Sequence, residues 1–470
     1  MAFNTLVFPF LLLPLSVLLY LAAPGVVKHW VLLLASLLFF AWGEPVCLLL
    51  LACFLVFNYF TAKRMVQLLD AENNPAARLT LISGVVVDLL MLGFYKYFGF
   101  VLQTFNGVFG TALKAPSLPT PIGISFFTFS TLSYLFDVYR GTVPDAGSFL
   151  EFGLYVSFFP KLVSGPIVPW HAFQSQLSKH PVTKERLGRG ARKFILGLAK
   201  KLLIADALGT SFYGLTALPR ENLSVLSAWL GVLLYSLMLY FDFSGYSDMA
   251  IGLAELFGFR FQKNFDYPYA SSSITEFWRR WHISLGAWFR DYVYIPLGGS
   301  RAGTGKTVRN LLIVWLLTGI WHGANWTFLV WGLYYGLLLL LEKFVLKSLV
   351  EKLPMAAKRV FTLLLVGVGW VFFFSPSLGS ALSWIGCMFG IHSAGLANGA
   401  TLYYLGSSLL LLVVAIIGAT PVPARLGNNL LRNPALPAKI LTVAWYAVLL
   451  ILCIAAMVSA TYSSFLYFQF

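Results

Sequence analysis

The sequence predicts an all-α polytopic membrane protein, and three observations predict it. Hydrophobic residues make up 59% of the chain and charged residues only 11%, against about a quarter charged in soluble domains. Apolar runs recur at 5–23, 30–42 with 46–61, 359–374, 402–419 and 438–460, each approaching the roughly 20 residues that a helix needs to cross the hydrocarbon core. Between the runs, Lys and Arg gather in separate stretches, as they do in cytoplasmic loops.

Taken in chain order, the first run (residues 5–23) has no basic residue before it, the first being Lys28. It is longer than the apolar core of a signal peptide and is expected to stay as the first transmembrane helix. The basic stretches Lys63–Arg78, Lys179–Lys201, Arg260–Arg309 and Lys343–Arg359, with a weaker one at Arg425–Lys439, are placed in the cytoplasm. The segments between them then pair into hairpins or longer even sets, which puts both termini on the outer side. Counting by span length gives about 11 to 14 transmembrane or re-entrant helices. Segments 97–110, 150–163, 246–258 and 379–392 are short or broken by Gly and Pro; broken backbone at membrane depth must lie inside protein or beside a water-filled cavity. No internal repeat of the transporter kind is visible. The whole chain, 1–470, reads as one membrane domain.

A net charge of +15 would suggest nucleic acid in a soluble protein, but here it is explained by charge asymmetry across the bilayer, and no nucleic-acid partner is expected. Cys47, Cys53, Cys387 and Cys453 lie in apolar runs without CxxC spacing, and the six histidines form no zinc-like cluster. No disulfide framework and no metal site are expected.

Residues 259–310 form the longest stretch without a span. Arg260, Lys263, Arg279, Arg280, Arg290, Arg301, Lys306 and Arg309 interleave there with Trp278, Trp281, Trp288, Tyr292 and Tyr294. This pattern suits a helix lying among lipid headgroups. It equally suits a cytoplasmic mouth that attracts an anionic donor, and both can hold. Within it, SRAGTGKT at 300–307 misses a phosphate-binding loop by its first glycine and follows no strand, so it reads as a flexible basic loop.

The informative region is 241–336, with FDFSGYSDMAIGLAELFGF, SITEFWRRWHISLGAWFRDYVYIPLGG and LLTGIWHGANWTFLVWGLYYG. His322 stands between the apolar runs Leu311–Trp321 and Trp326–Leu341, and an ionisable residue at membrane depth is a functional candidate. Gly319, Gly323 and Ala324 allow close approach of backbone or substrate, and Asn325 supplies a hydrogen-bonding group. By position alone, His322 could also be a histidine that bonds a neighbouring helix.

These three blocks resemble the bacterial membrane-bound O-acyltransferase family, in particular its branch that serves alginate and cellulose acetylation. PIGISFFTFSTLSYLFDVYRG at 121–141, FFPKLVSGPI at 158–167 and GLAKKLLIAD at 197–206 extend the resemblance from the N-terminus to about residue 345. The resemblance implies a bundle around a central funnel, with His322 of WHGAN as catalytic base: a neutral imidazole takes the proton of an acceptor hydroxyl as that hydroxyl attacks a thioester. It also selects His282 of RRWHISL, either as support for the site or donor or as membrane-interface structure. Asp242, Ser244, Tyr246 and Asp248 of DFSGYSD match the pattern too; they are expected to line a cavity or bond across helices. Trp321, Asn325, Arg279 and Arg280 complete the expected substrate-lining set.

The ending FLYFQF at 465–470 could be an aromatic belt anchor on the outer side. It also resembles the C-terminal motif of the small membrane peptide that works with the teichoic-acid D-alanylation acyltransferase, and the carry-over lands on Tyr467 as acyl carrier. A phenol of pKa about 10 needs a base to attack a thioester, and His322 is the available one. The resemblance therefore implies a bacterial inner-membrane enzyme with no permanently bound cofactor and acetyl-CoA as donor. A periplasmic or membrane-anchored SGNH esterase-like acetyltransferase would be the partner, and an exported polysaccharide, alginate or cellulose, the final acceptor. Competing readings are a lipid-directed acyltransferase of the same family and a polysaccharide or acyl transporter.

Overall fold

In the computed structural model every regular segment is helical, and no strand occurs among the described residues, which are all except 1, 26, 115–119, 302, 347–351, 460–464 and 466–470. Seven of the described helices are long and apolar enough to cross a membrane: Pro45–Asp70, Asn74–Phe109, Val225–Leu256, Trp326–Leu346, Met355–Phe374, Gly399–Gly418 and Leu436–Ser459. Phe8–Ala22, Val27–Gly43 and Leu378–Met388 are apolar but shorter. The chain is a multi-pass membrane protein.

The seven are the helices of full length and apolarity, whereas the count of about 11 to 14 expected from the sequence also takes in short and re-entrant segments. Residues 97–110 instead continue the Asn74–Phe109 helix through a π-helical turn at Gly93–Tyr97. Residues 246–258 are largely the end of the 32-residue Val225–Leu256 helix. Residues 150–163 divide into the short helices Phe149–Ser157 and Phe159–Leu162, with the turn at Phe158.

The chain divides into two compact units, Met1–Phe194 with Ser247–Gln262, and Ile195–Tyr246 with Lys263–Phe470. In the first, the Ile124–Tyr139 helix is buried on nearly every side, as a helix that is apolar or small all round must be. One carboxylate ties three helices together there. Asp88 is fully buried and accepts from Asn58 Nδ2 at 2.9 Å and Thr131 Oγ1 at 2.7 Å. Phe8 packs on Phe39 and Phe159 at 5.7 and 5.9 Å.

In the second unit the centre is a hairpin of Thr304–His322 and Trp326–Leu341, covered by Met355–Phe374. Its two helices touch backbone to backbone. A Cβ on Gly319 would come within 2.5 Å of the Phe328 carbonyl oxygen, and one on Gly332 would collide with the Trp315 carbonyl. Side-chain-free surfaces of this kind let helices approach closely in a membrane. The Gly399–Gly418 and Leu436–Ser459 helices leave most of their apolar surface uncovered, as lipid-facing helices do.

In residues 259–310 the basic–aromatic alternation sorts by direction. Arg260, Lys263, Arg279, Arg290, Arg301, Lys306 and Arg309 are exposed, whereas Trp281, Trp288 and Tyr292 are buried in protein. This corrects the headgroup-helix expectation for those three rings. They pack on Phe277, Phe289 and each other, so their apolar area is removed from water by the protein and needs no lipid.

Candidate active site

His322 is the last residue of the Thr304–His322 helix. Gly323 continues in extended backbone, and the next helix starts at Trp326. Asn325 is its N-cap: the Asn325 Oδ1 accepts from the Thr327 N–H at 3.1 Å, and the Asn325 Nδ2 donates to the Pro376 carbonyl at 3.0 Å. A side chain expected to line the substrate path therefore anchors the turn behind His322. The space beside the flanking glycines is filled by the partner helix, with Phe328 against both Gly319 and Gly323. The His322 imidazole is 3% exposed and walled by Trp321 (4.9 Å between ring centroids), Trp331 (4.8 Å) and Phe373 (5.2 Å).

His282 sits on the turn between the short helices Ile274–Arg280 and Ile283–Phe289, with φ +45°. The left-handed region is strained for a residue with a Cβ, and such strain clusters at functional sites. Asn264 holds the turn. Its backbone carbonyl accepts from the Ile283 N–H at 3.0 Å, and its Oδ1 accepts from the Ser284 N–H at 3.1 Å and the Ser284 hydroxyl at 2.9 Å. His282 Nδ1 lies 3.2 Å from the same oxygen. An oxygen already accepting from a backbone N–H requires Nδ1 to carry the proton, which leaves Nε2 as the basic nitrogen of the neutral ring. Burial holds the His282 pKa well below the ordinary histidine range, at about 3.

Trp321 joins the two histidines. Its indole lies 5.9 Å from the His282 ring and 4.9 Å from the His322 ring. Phe243 of DFSGYSD closes on His282 at 4.6 Å. Three blocks far apart in sequence therefore meet around the His282 ring. Behind them stands a continuous aromatic mass: Trp278 on Trp315 at 4.7 Å and on Trp331 at 5.5 Å, and Trp281 on Trp370 at 5.0 Å. Such a wall keeps the local dielectric low, which strengthens any charge stabilisation inside.

The segment that leads to His282 is fixed from a distance. The Glu342 carboxylate accepts from the Ile274 N–H at 2.7 Å and the Thr275 N–H at 3.1 Å, capping the first turn of the Ile274–Arg280 helix. At the other end Arg280 donates to Glu276 through Nε at 3.0 Å and Nη2 at 2.7 Å, and through Nη1 to the Asp266 carbonyl at 3.1 Å. Arg280 thus braces the turn, while Arg279 is exposed.

The DFSGYSD residues have separate surroundings. Asp242, 1% exposed, pairs with Lys201 at 2.8 Å, and Lys201 also pairs with Asp206 at 2.8 Å. Burial alone would lower the Lys201 pKa; the two carboxylates outweigh it and hold the ammonium above its ordinary value. Ser244 is buried on the same helix. Tyr246 is buried edge-on to Phe465, 5.0 Å away. Asp248 belongs to the first unit, where it pairs with Lys193 at 2.9 Å. Tyr467 lies outside the described residues. Asn264, Glu342, Lys201, Trp331 and Phe373 also belong to these surroundings and are not among the site residues expected from the sequence. Only Glu342 and Lys201 carried a signal, as charges at the edges of apolar runs.

The family model of the membrane-bound O-acyltransferases matches residues 144–378, which include both histidines and the DFSGYSD block. The chain is 42% identical over 423 residues to a probable alginate O-acetylase of Azotobacter vinelandii, covering 89% of this chain and 84% of that protein. It is 38% identical over 489 residues to a probable alginate O-acetylase of Pseudomonas putida, covering 100% of each. A peptidoglycan O-acetyltransferase of Helicobacter pylori is 35% identical over 433 residues, 84% of this chain and 81% of that protein. A helical multi-pass architecture, two buried histidines on one indole, and these similarities agree: the chain belongs to the membrane-bound O-acyltransferase family and is an O-acyltransferase.

Proposed function

We propose that the protein takes an acetyl group from acetyl-CoA on the cytoplasmic side of the bacterial inner membrane and delivers it outward for O-acetylation of an exported polysaccharide. The observation that carries this reading is the shared indole: Trp321 sets the two imidazoles His282 and His322 into one buried, aromatic-walled site. The relatives that span most of the chain bear names that specify acetyl transfer to alginate or to peptidoglycan, which supports a polysaccharide acceptor over a lipid. Of the two polymers expected from the sequence, alginate is the one these names favour over cellulose. The exposed cations Lys263, Arg279, Arg290 and Lys306 suit the phosphates of the donor.

His322 acts as the base. It takes the proton of the acceptor hydroxyl, the oxygen forms a bond to the thioester carbonyl carbon, and the carbon–sulfur bond breaks. The proton then passes from the imidazolium to the departing thiolate. His282, neutral and fixed by Asn264, supports the site without changing charge. The first acceptor is the Tyr467 phenol, and an SGNH esterase-like partner on the periplasmic side removes the acetyl group from it for the polymer. Both termini lie on that side.

Reconstituted protein with labelled acetyl-CoA, partner and polymer tests this. Wild type labels the polymer, Tyr467→Phe does not, and labelled lipid with unlabelled polymer would reject the polysaccharide reading.

A further inference from the structure

Lys201 and Tyr246 belong to different segments of the second unit, yet both close on the same ring. Phe465 is fully buried. Tyr246 stands edge-on to it at 5.0 Å, and the Lys201 Nζ lies over its face, 4.8 Å from the centroid. The ammonium is itself held in place by Asp242 and Asp206, each at 2.8 Å. Two local features deliver Lys201 to this point. The Lys200–Ala205 segment is a π-helical turn, a widened turn found often at functional sites. Gly245, between Ser244 and Tyr246, has no side chain to keep that segment away: a Cβ there would come within 2.8 Å of the Gly197 carbonyl oxygen and 3.3 Å of the Lys201 backbone nitrogen. The glycine and tyrosine of DFSGYSD, its first aspartate Asp242 and a buried lysine thus all serve one contact.

We propose that Lys201, clamped by Asp242 and Asp206, and Tyr246 form a receptor for the Phe465 ring, and that this seat sets the register of the C-terminal hexapeptide whose Tyr467 carries the acyl group. The proposal rests on the Tyr467 relay reading. Phe465 is two residues before that tyrosine, so a fixed ring tethers the Tyr467 Cα within about 7 Å of the Phe465 Cα. The cation serves better than another apolar wall because it binds a π face with orientation, and it is desolvated, where such contacts are strongest. Lys201 and Tyr246 are positioning residues in this account, acting through the tail.

The test uses the full chain in its native membrane. With p-benzoylphenylalanine at position 465, irradiation should give adducts within residues 197–205 and 242–246; no adduct, or adducts only elsewhere, overturns the seat whatever the role of Tyr467. Stepwise fluorination of the Phe465 ring drains its π face with little change in size and should lower kcat for acetyl transfer progressively, to about tenfold, with KM for acetyl-CoA unchanged. A flat series means that the ring only fills space, and the proposal fails. Tyr467→Phe is measured alongside. If it transfers normally, the relay reading is lost and the adducts alone decide the seat; if it is inactive while the fluorinated series stays flat, the relay stands and the seat falls.

Discussion

Glu342 accepts a hydrogen bond from the Ile274 backbone N–H at 2.7 Å, across 68 residues of sequence. It supplies from another helix the cap that the Ile274–Arg280 turn needs, and that turn leads directly to His282. Glu342→Gln keeps one acceptor and loses the charge, while Glu342→Ala loses both. The alanine variant should lose about 1–2 kcal/mol of stability, as helix-cap deletions do, and acetyl transfer should fall with it because the His282 turn loosens. Thermal unfolding in detergent and transfer rate are the two measurements. An alanine variant with unchanged melting and unchanged rate removes Glu342 from the account.

His282 gives a pH prediction. Its folded pKa lies near 3, below the ordinary 6.5, because burial disfavours the charged ring. The unfolded chain therefore binds a proton that the native state does not. The native state keeps its full advantage above about pH 6.5 and loses it progressively as pH falls toward 3. His282→Gln should flatten that part of the stability–pH curve while melting lower at pH 7.5. Parallel curves for the two proteins would place the acid sensitivity elsewhere.

The helix hairpin behind His322 depends on Gly319 and Gly332. Alanine favours an isolated helix over glycine by about 1 kcal/mol, so the sign is informative. Here the added Cβ meets the Phe328 or Trp315 carbonyl, and overpacking costs roughly 1–3 kcal/mol. Gly319→Ala and Gly332→Ala should each destabilise the protein. A rise in melting temperature would show that the two helices stand further apart than described.

Much of this architecture is legible in the sequence. Apolar runs mark most spans, and His322 stands out as an ionisable group between two of them. What the sequence could not show depends on direction and on distant partners. Tryptophans beside arginines in 259–310 carry the same pattern whether the rings meet lipid or protein; the structure turns Trp281 and Trp288 inward. Asn264 lies 18 residues from His282 and has no motif of its own. Asn325 stands just before an apolar helix, a position that favours a cap, and its side chain serves as one. The irregularity ahead of 97–110 is a π-helical turn at Gly93–Tyr97 within one long helix, which composition cannot distinguish from a loop.

The Lys201–Asp242 pair is buried on both sides, and removing one partner of such a pair costs about 3–5 kcal/mol. Lys201→Met should therefore be strongly destabilised. Lys201→Met combined with Asp242→Asn should recover part of that loss, with Asp206, which is partly exposed, left to solvent. Expression and melting of the single and double variants decide it; a double variant no better than Lys201→Met would mean that the two charges are not coupled.

The central claim is that His322 removes the acceptor proton. Its most direct measurement is acetyl transfer by folded His322→Ala protein in vesicles, followed as free thiol released from acetyl-CoA together with label on the acceptor. Loss of a positioned base predicts a fall of at least about a hundredfold, with unchanged melting and donor binding. Transfer by His322→Ala at the wild-type rate would contradict the account.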